Sequence, residues 1–253
     1  MFALERQKKI LELLAEDGAV SVSKLSVILS VTEETIRRDL EKLEKQEALR
    51  RTHGGAVPID ESTYEMSLEK RKATNIDVKK KLAEAALLHI VSGDTVFLDA
   101  STTTFFIAKG LKKLNNITVI TNSLRVVTEL SGCENIKTIA VGGIVSNNQS
   151  LVGSLAEKSI IENYVANKMF FSSKGITLDS GILESNETEC GIKQRMMENS
   201  GLKYYLCDST KVGRIGFVKL SAFNELDYFI TDAKLSDEFS AKLSESNVNI
   251  IEV

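Results

Sequence analysis

Cysteine, histidine and proline are all scarce in this chain, and each shortage removes a class of protein. Cys133, Cys190 and Cys207 are three widely spaced thiols with no C-x-x-C. An odd, scattered set argues against a disulfide framework or a zinc site, and for reduced, mostly buried thiols. His53 and His89 are the only histidines, too few for a His-rich metal cluster. Neither G-x-G-x-x-G nor a P-loop occurs, so dinucleotide and NTP binding are not expected. No apolar run approaches the ~20 residues that cross a bilayer. The first residues, M-F-A-L-E-R-Q-K-K-I, place charges where a signal peptide needs an apolar stretch. The expectation is a cytoplasmic protein with no cofactor, no metal and no membrane partner. A formal net charge of −3 disfavours nonspecific coating of nucleic acid, although local clusters of charge matter more than the sum.

What the chain has is enough apolar content for a core, 43% of 253 residues, with 26% charged residues for a soluble surface. The N-terminal part is organised around Val31 to Leu43, V-T-E-E-T-I-R-R-D-L-E-K-L. Ile36, Leu40 and Leu43 share one helical face and can pack inward. Thr32 is placed as N-cap, with Val31 and Ile36 as a hydrophobic staple. The exposed turns then carry Thr35, Arg37 and Arg38, beside Glu33, Glu34 and Asp39. Short polar and arginine side chains at the front of a helix suit base edges and phosphates in a major groove. An ordinary capped helix with a solvated face reads the same way locally, so the neighbours decide.

Before it, Leu4 to Glu16 predicts a helix ending near Gly18, with Ile10, Leu11, Leu13 and Leu14 as its apolar face. Ser21 opens a short second helix that buries Leu25, Ile28 and Leu29. Two short helices so closely joined form a helix-turn-helix. After it, A-L-R-R-T-H-G-G-A-V predicts a hairpin turning at Gly54-Gly55, with Arg50, Arg51 and His53 on it. A basic hairpin here is a wing, able to meet phosphates or a minor groove. A generic helical domain has no need of one.

Pro58, the only proline, begins a polar linker over residues 58 to 75 with apolar anchors Tyr64, Met66 and Leu68. From Ile76 the pattern becomes short apolar runs alternating with amphipathic helices. Strands are expected at Thr95–Leu98, Ile117–Ile120, Ile136–Val141, Met169–Phe171, Lys203–Leu206, Tyr228–Ile230 and Val248–Ile251. This predicts an α/β fold: a winged helix-turn-helix over residues 1–57, then a mostly parallel, doubly wound sheet over 76–253. Ligands of such sheets bind beyond the carboxyl ends of the strands. The ends here are Asp99-Ala100-Ser101-Thr102-Thr103-Thr104, Thr121-Asn122-Ser123, Gly142-Gly143 and Cys207-Asp208-Ser209-Thr210-Lys211. Hydroxyls and helix N–H groups make an anion site, paired glycines admit close backbone approach, and Lys211 supplies a point charge. Asp99 or Asp208 can accept hydrogen bonds from sugar hydroxyls. Helix capping explains any one loop alone; convergence of four favours a small phosphorylated polyol.

In this order and spacing the segments E-R-Q-K-K-I-L-E-L-L, V-T-E-E-T-I-R-R-D-L-E-K-L, R-R-T-H-G-G-A-V, D-A-S-T-T-T, V-I-T-N-S, V-G-G, S-L-V-G and D-S-T-K-V-G resemble the DeoR family of bacterial transcriptional regulators over nearly the full length. The resemblance implies a sensor domain similar to ribose-5-phosphate isomerase and glucosamine-6-phosphate deaminase folds. It also implies repression of a sugar or polyol operon, relieved by a phosphorylated sugar. In the family the loops matching Asp99–Thr103, Thr121–Ser123 and Gly142-Gly143, with the lysine matching Lys211, line the effector pocket. Departures from the family pattern fall in the sensor half. Ser101 stands for glycine, Ile144-Val145-Ser146 follow the paired glycines, Asn167 stands for aspartate, and Ser172-Ser173-Lys174 replace a run of small residues. The expected partners are double-stranded operator DNA, the effector, and further copies of the chain in a homodimer or homotetramer. The alternative is a sugar-phosphate isomerase or deaminase, with Asp99, Asp208 or Glu189 as base.

Overall fold

In the computed structural model, which describes residues 2–58 and 66–253, the chain divides into two units, Met1–Met66 and Ser67–Val253. The expected anchor Tyr64 lies outside the described residues.

The first unit contains α1 (Ala3–Asp17), β1 (Val20–Ser21), α2 (Val22–Ile28), α3 (Glu33–Lys45), β2 (Arg50–Thr52) and β3 (Gly55–Val57). Its core joins Ile10 and Leu14 of α1 to Leu25, Leu29, Ile36, Leu40, Leu43 and Leu49. The caps form as the sequence predicts. Ser21 accepts from Lys24 N at 3.2 Å and Thr32 from Thr35 N at 3.2 Å.

Three local expectations are corrected. Ile28 is 56% exposed, because α2 ends there and Leu25 and Leu29 take the inward positions. The hairpin pairs Thr52 with Gly55, so His53-Gly54 forms the turn. Gly55 instead lets β1 lie alongside, since a Cβ there would stand 1.8 Å from the Val20 carbonyl oxygen. Asp39 is 2% exposed and not on the solvated face, since it lies one turn from Ile36 and Leu43 on the packed side. Its carboxylate accepts from Arg6 Nε at 2.5 Å and Gln7 Nε2 at 3.0 Å, tying α3 to α1.

The second unit opens with α4 (Leu68–Ala73) and α5 (Ile76–Leu87). Residues 67–73, part of the expected linker, therefore supply a helix with buried Leu68. There follow β4 (Thr95–Leu98), α6 (Thr104–Leu111), β5 (Ile117–Thr121), α7 (Leu124–Leu130), β6 (Ile136–Ala140), the hairpin β7 (Ile144–Val145) and β8 (Leu151–Val152), and α8 (Ser154–Asn163). Then come β9 (Ala166–Phe171), β10 (Gly175–Thr177), β11 (Gly181–Glu184), α9 (Glu187–Glu198), β12 (Ser200–Cys207), β13 (Val218–Ser221), β14 (Tyr228–Thr231), α10 (Asp237–Glu245) and β15 (Asn249–Glu252).

Seven strands form one parallel sheet in the order β15-β14-β12-β9-β4-β5-β6. Alternate strand residues face opposite cores. Val96, Leu98, Val119, Phe170 and Tyr204 pack under α5, α6 and α7. Phe97, Ile120, Phe171, Tyr205 and Phe229 pack under α8, α9 and α10. The chain grows outward from β4 in one direction and from β9 in the other. The strand order thus reverses between these two neighbours, the switch point where such sheets bind ligands. The β7–β8 hairpin, α8 and the small antiparallel sheet β10-β11-β13 have no counterpart in the sequence reading. Two- to four-residue strands hold too few alternations to register as a period.

Removing one member of a buried ion pair typically costs about 3–5 kcal/mol. Asp39→Ala is accordingly expected to destabilise the first unit by about 3 kcal/mol, read as faster amide exchange throughout α1 and α3. Wild-type protection in the variant would show that the pair contributes little.

Candidate functional site

In the first unit, the α1–α3 ion pair and the Thr32 cap fix α3 so that its outer face is presented to solvent. Thr35 shares a hydroxyl–hydroxyl bond of 2.9 Å with Thr32. Arg37 and Arg38, whose side chains are 52% and 74% exposed, pair with Glu33 at 2.7 Å and Glu34 at 3.2 Å, one turn earlier. Exposed pairs of this kind contribute little to stability, so these guanidiniums can exchange a carboxylate for a phosphate or a base edge at small cost. Arg50, Arg51 and His53 are exposed on the hairpin, and Glu44 on α3 accepts from Arg51 N at 2.9 Å. Ser21 and Thr32 are primarily caps. The structure thus brings the arginines, Thr35 and His53 onto two adjoining elements of one unit.

In the second unit, the predicted loops meet at the carboxyl edge of the sheet. Asp99, directly after β4, is fully buried. Its Oδ1 accepts from Ser101 N at 3.1 Å and Thr104 Oγ1 at 2.8 Å. Its Oδ2 accepts from Ser172 N at 3.2 Å and pairs with Lys193 Nζ at 3.0 Å. Burial opposes ionisation here. Lys193 and these donors outweigh it and hold Asp99 below the usual carboxylate range. Lys193, also buried, bonds the Glu184 carboxylate and donates to the Ser172 carbonyl at 2.7 Å. Burial lowers its pKa, but Glu184, Asp99 and Glu189 raise it further, leaving a fixed cation. Four donors from the protein itself thus engage the two oxygens of Asp99.

The remaining predicted residues divide. Thr121 Oγ1 donates to the Leu98 carbonyl at 2.7 Å, locking β5 to β4. Ser101 Oγ accepts from Thr104 N at 3.1 Å and starts α6. Thr102 and Thr103 are buried, and Thr103 Oγ1 has no partner among the described residues. Asn122 donates to the Leu151 carbonyl at 3.3 Å while its Oδ1 has no partner among the described residues. Gly143, at φ +141°, lets β8 approach, since a Cβ would stand 2.8 Å from the Val152 carbonyl oxygen. Gly142 is exposed. Lys211 bonds the Ser172 hydroxyl and lies 3.7 Å from Asp208 Oδ2. Burial works against ionised Asp208; Lys211, Thr210, Lys79 and Asn75 together keep its pKa low. Asp232 accepts from Ser209 N at 2.7 Å and so anchors the Lys211 turn.

Sequence reasoning missed Arg71 on α4, Lys79 on α5, Arg125 on α7, and Ser172 with Lys193. Ser172 stands out in the sequence only as a departure from the family pattern. Lys79 donates to the carbonyls of Arg71 at 2.5 Å and Thr74 at 2.7 Å. Burial first, then Lys211, Arg71 and Arg125, push its pKa down to about 8 against the partial relief of Asp208. Arg71 Nη2 donates to Asn148 Oδ1 at 2.6 Å, joining α4 to the β7–β8 hairpin. Arg125 lies over the Phe105 ring, 4.0 Å from its centroid. No signal in the sequence separates these cations from ordinary helix-surface charges. Among the described residues, no group of three His, Cys, Asp or Glu side chains is placed to hold a metal. No helix among the described residues is long and apolar enough to cross a membrane.

The depressed Lys79 pKa has a definite pH consequence. Between about 8 and the ordinary lysine value near 10.4, the unfolded chain binds a proton the folded chain has lost. Stability from this group therefore rises with pH across that window. The wild-type unfolding free energy, relative to Lys79→Met, is expected to increase from pH 7.5 to pH 10 in urea titrations. A parallel or falling difference contradicts the depressed pKa.

Comparison with known proteins gives the same two halves. A model of the DeoR-like helix-turn-helix domain matches residues 6–62 and one of the DeoR C-terminal sensor domain matches residues 74–233. The HTH-type transcriptional regulator YulB of Bacillus subtilis is 42% identical over 254 residues, covering 100% of this chain and 98% of that protein. The HTH-type transcriptional regulator GolR of Listeria innocua is 33% identical, covering 99% and 98%. Ribose 5-phosphate isomerase A of Methanocaldococcus jannaschii aligns over 56% of each chain at 14% identity and a TM-score of 0.42, a likeness too slight to bear on activity. A winged helix-turn-helix followed by the matched sensor domain, with relatives aligned end to end, identifies the chain as a member of the DeoR family of HTH-type transcriptional regulators.

Proposed function

We propose that this regulator is a repressor of a sugar or polyol catabolic operon, released from its operator by a phosphorylated sugar. The observation that carries the reading is the presence, in one chain, of an arginine-bearing exposed α3 and a cation-rich sheet edge with unpartnered buried hydroxyl and amide oxygens. In this reading Thr35, Arg37 and Arg38 meet base edges and phosphates in the major groove. Arg50, Arg51 and His53 on the hairpin meet the backbone or the adjacent minor groove. Ser21 and Thr32 act through the helices they cap. The effector lies across Ser101–Thr103, Asn122 and Gly142-Gly143, with Lys211 on its anionic end.

The relatives' names favour this direction of control. They include a putative aga operon transcriptional repressor of Escherichia coli and the transcriptional repressor AccR of Agrobacterium fabrum; an L-fucose operon activator of Haemophilus influenzae marks the opposite sign as the outcome to watch for. One small module on one half-site has limited affinity, so a homodimer or homotetramer on a repeated operator in the cytoplasm completes the proposal. Effector control then needs a coupling of roughly 1–3 kcal/mol between the DNA-competent and incompetent states.

An isomerase or deaminase would need a free base at the sheet edge. Asp99 is saturated by four donors. Asp208 is engaged by Thr210, Asn75 and Lys211, and Glu189 by Ser150 and Ser146. These engagements support the regulatory reading over the enzymatic one.

The test is binding of the full chain to DNA from its own upstream region, at stated salt, with and without a panel of sugar phosphates. Arg37→Ala and Arg38→Ala are each expected to weaken specific binding about tenfold or more, leaving effector binding intact. Lys211→Ala is expected to weaken the effector response and spare DNA binding in its absence. Unchanged gel shifts in both arginine variants would sink the assignment of α3.

A further inference from the structure

From Thr138 to Ala156 the chain carries no Asp, Glu, Lys, Arg or His, its longest uncharged run, in a protein with 26% charged residues. The run covers the end of β6, the β7–β8 hairpin and the start of α8. Part of it faces solvent. Ile144 and Val145 of β7 are 72% and 61% exposed, and Leu155 of α8 is 64% exposed. Leu155 Cδ2 lies 3.5 Å from the place of a Cβ on Gly142, and Ile144 Cδ1 lies 3.7 Å from the place of one on Gly153. Each side chain thus covers the residue two positions before the other, and Ile144 and Leu155 are neighbours on the surface. Val145 follows Ile144 along the same strand. Their partners across the hairpin, Val152 and Leu151, are buried, and among the described residues β7 pairs with no other strand. Single exposed apolar residues are ordinary. Leu4 stands beside Glu5, and Phe217 between Arg214 and Lys219. An apolar edge set in an uncharged surface is different, since edges without charge or proline invite pairing and interface cores are depleted of charge.

The protein holds this edge rigidly. Ser146 N donates to the Ser150 carbonyl at 2.8 Å and Gln149 N to the Ser146 carbonyl at 3.0 Å, closing the hairpin. Glu189 of α9 accepts from both serine hydroxyls. Behind the hairpin, Leu151 N donates to the Asn122 carbonyl at 2.7 Å and Leu124 N to the Gln149 carbonyl at 3.0 Å. These bonds leave β7 no freedom to turn its apolar side chains inward. A surface ordered in advance loses less entropy on docking. Ile144 and Val145 are also among the residues at which the chain departs from the family pattern, and the effector reading makes no use of them.

We propose that the β7–β8 hairpin and the start of α8 dock onto the same surface of a second copy of this chain, across a two-fold axis that passes close to Ile144. This rests on the pairing of copies proposed above and extends it by naming the surface. Charge identifies the occupant. In a two-fold interface a residue near the axis meets its own mate, so a charge of either sign there faces its like. A patch that pairs with itself is therefore uncharged at its centre. A partner with an acidic or basic face finds nothing here to complement it. Specific interfaces bury about 800 Å² per partner, more than three side chains supply, so the uncharged rim of Asn147, Gln149 and Ser154 is covered as well. Strand β7 has two residues, too few for backbone pairing to contribute much, and the side chains carry the contact.

The experiment is sedimentation velocity of the full chain over a range of concentrations, at stated salt. Wild type is expected to sediment as a dimer or a larger even assembly. Ile144→Glu and Ile144→Lys, each repelling its own mate, are each expected to raise the dissociation constant about a hundredfold or more. Mixed in equal amounts, the two variants are expected to recover association, because glutamate now meets lysine across the axis. That recovery also verifies that both variants are folded. Leu88→Glu, a charge placed on an exposed apolar residue elsewhere on the unit, is expected to associate as wild type does. Wild-type association in both Ile144 variants, or an equal loss in Leu88→Glu, overturns the surface and leaves the pairing of copies standing. Two monomeric variants whose mixture stays monomeric overturn the two-fold arrangement. A wild type that is monomeric at every concentration overturns the surface and the pairing of copies together, and leaves the patch to a different protein.

Discussion

The carboxylate of Asp99 is the constraint on which the sensor unit depends. It is a fully buried charge at the point where the strand order reverses, and such a charge is tolerated only when its lone pairs are filled. Filling them draws in Ser101 and Thr104 from the start of α6, the backbone beyond β9 at Ser172, and Lys193 from α9. One side chain thus sets the relative position of two neighbouring strands, the helix after the first and a helix packed across the other face. Ser172 carries that order outward. Its amide bonds Asp99, its hydroxyl donates to the Leu206 carbonyl and accepts from Lys211, and its carbonyl accepts from Lys193. A serine where the family pattern has a small residue therefore aims the lysine that the family pattern places in the pocket.

The charges at this edge fall into two groups. Asp99, Lys193 and Glu184 are anionic on balance and closed to solvent. Arg71, Lys79, Arg125 and Lys211 are cations, and burial first, then the repulsion of the others, depresses the Lys79 pKa. Fixed cations suit a ligand that arrives with its own negative charge.

The first unit solves a smaller version of the same problem. Helix α3 must keep a polar outer face and still be held rigidly, and Asp39 does the holding from the inner face through Arg6 and Gln7. Thr32 and Ser21, which the sequence marks as helix starts, direct their hydroxyls to helix N–H groups. Each bond fixes the start of its helix, α2 or α3.

Local rules made much of this legible in the sequence. Helices α1 and α3, their caps, the basic hairpin and the core strands were readable because 3.6-residue spacing, capping residues and apolar runs depend only on near neighbours. The strand-end loops were legible as a group, and the structure brings them to one edge of the sheet. Several assignments had no local signature. Asp39 and Asp99 look like any surface aspartate. Arg71, Lys79 and Arg125 sit in helices with ordinary polar faces, and β10, β11 and β13 are too short for a period. Whether a charged side chain is buried, saturated or left with an open donor depends on the register of parallel strands whose partners lie as far apart as Leu98 and Phe170. That register is a property of the assembled sheet, so the pairing of polar groups in the site was decided by tertiary structure, while the elements that carry it were determined by the sequence alone.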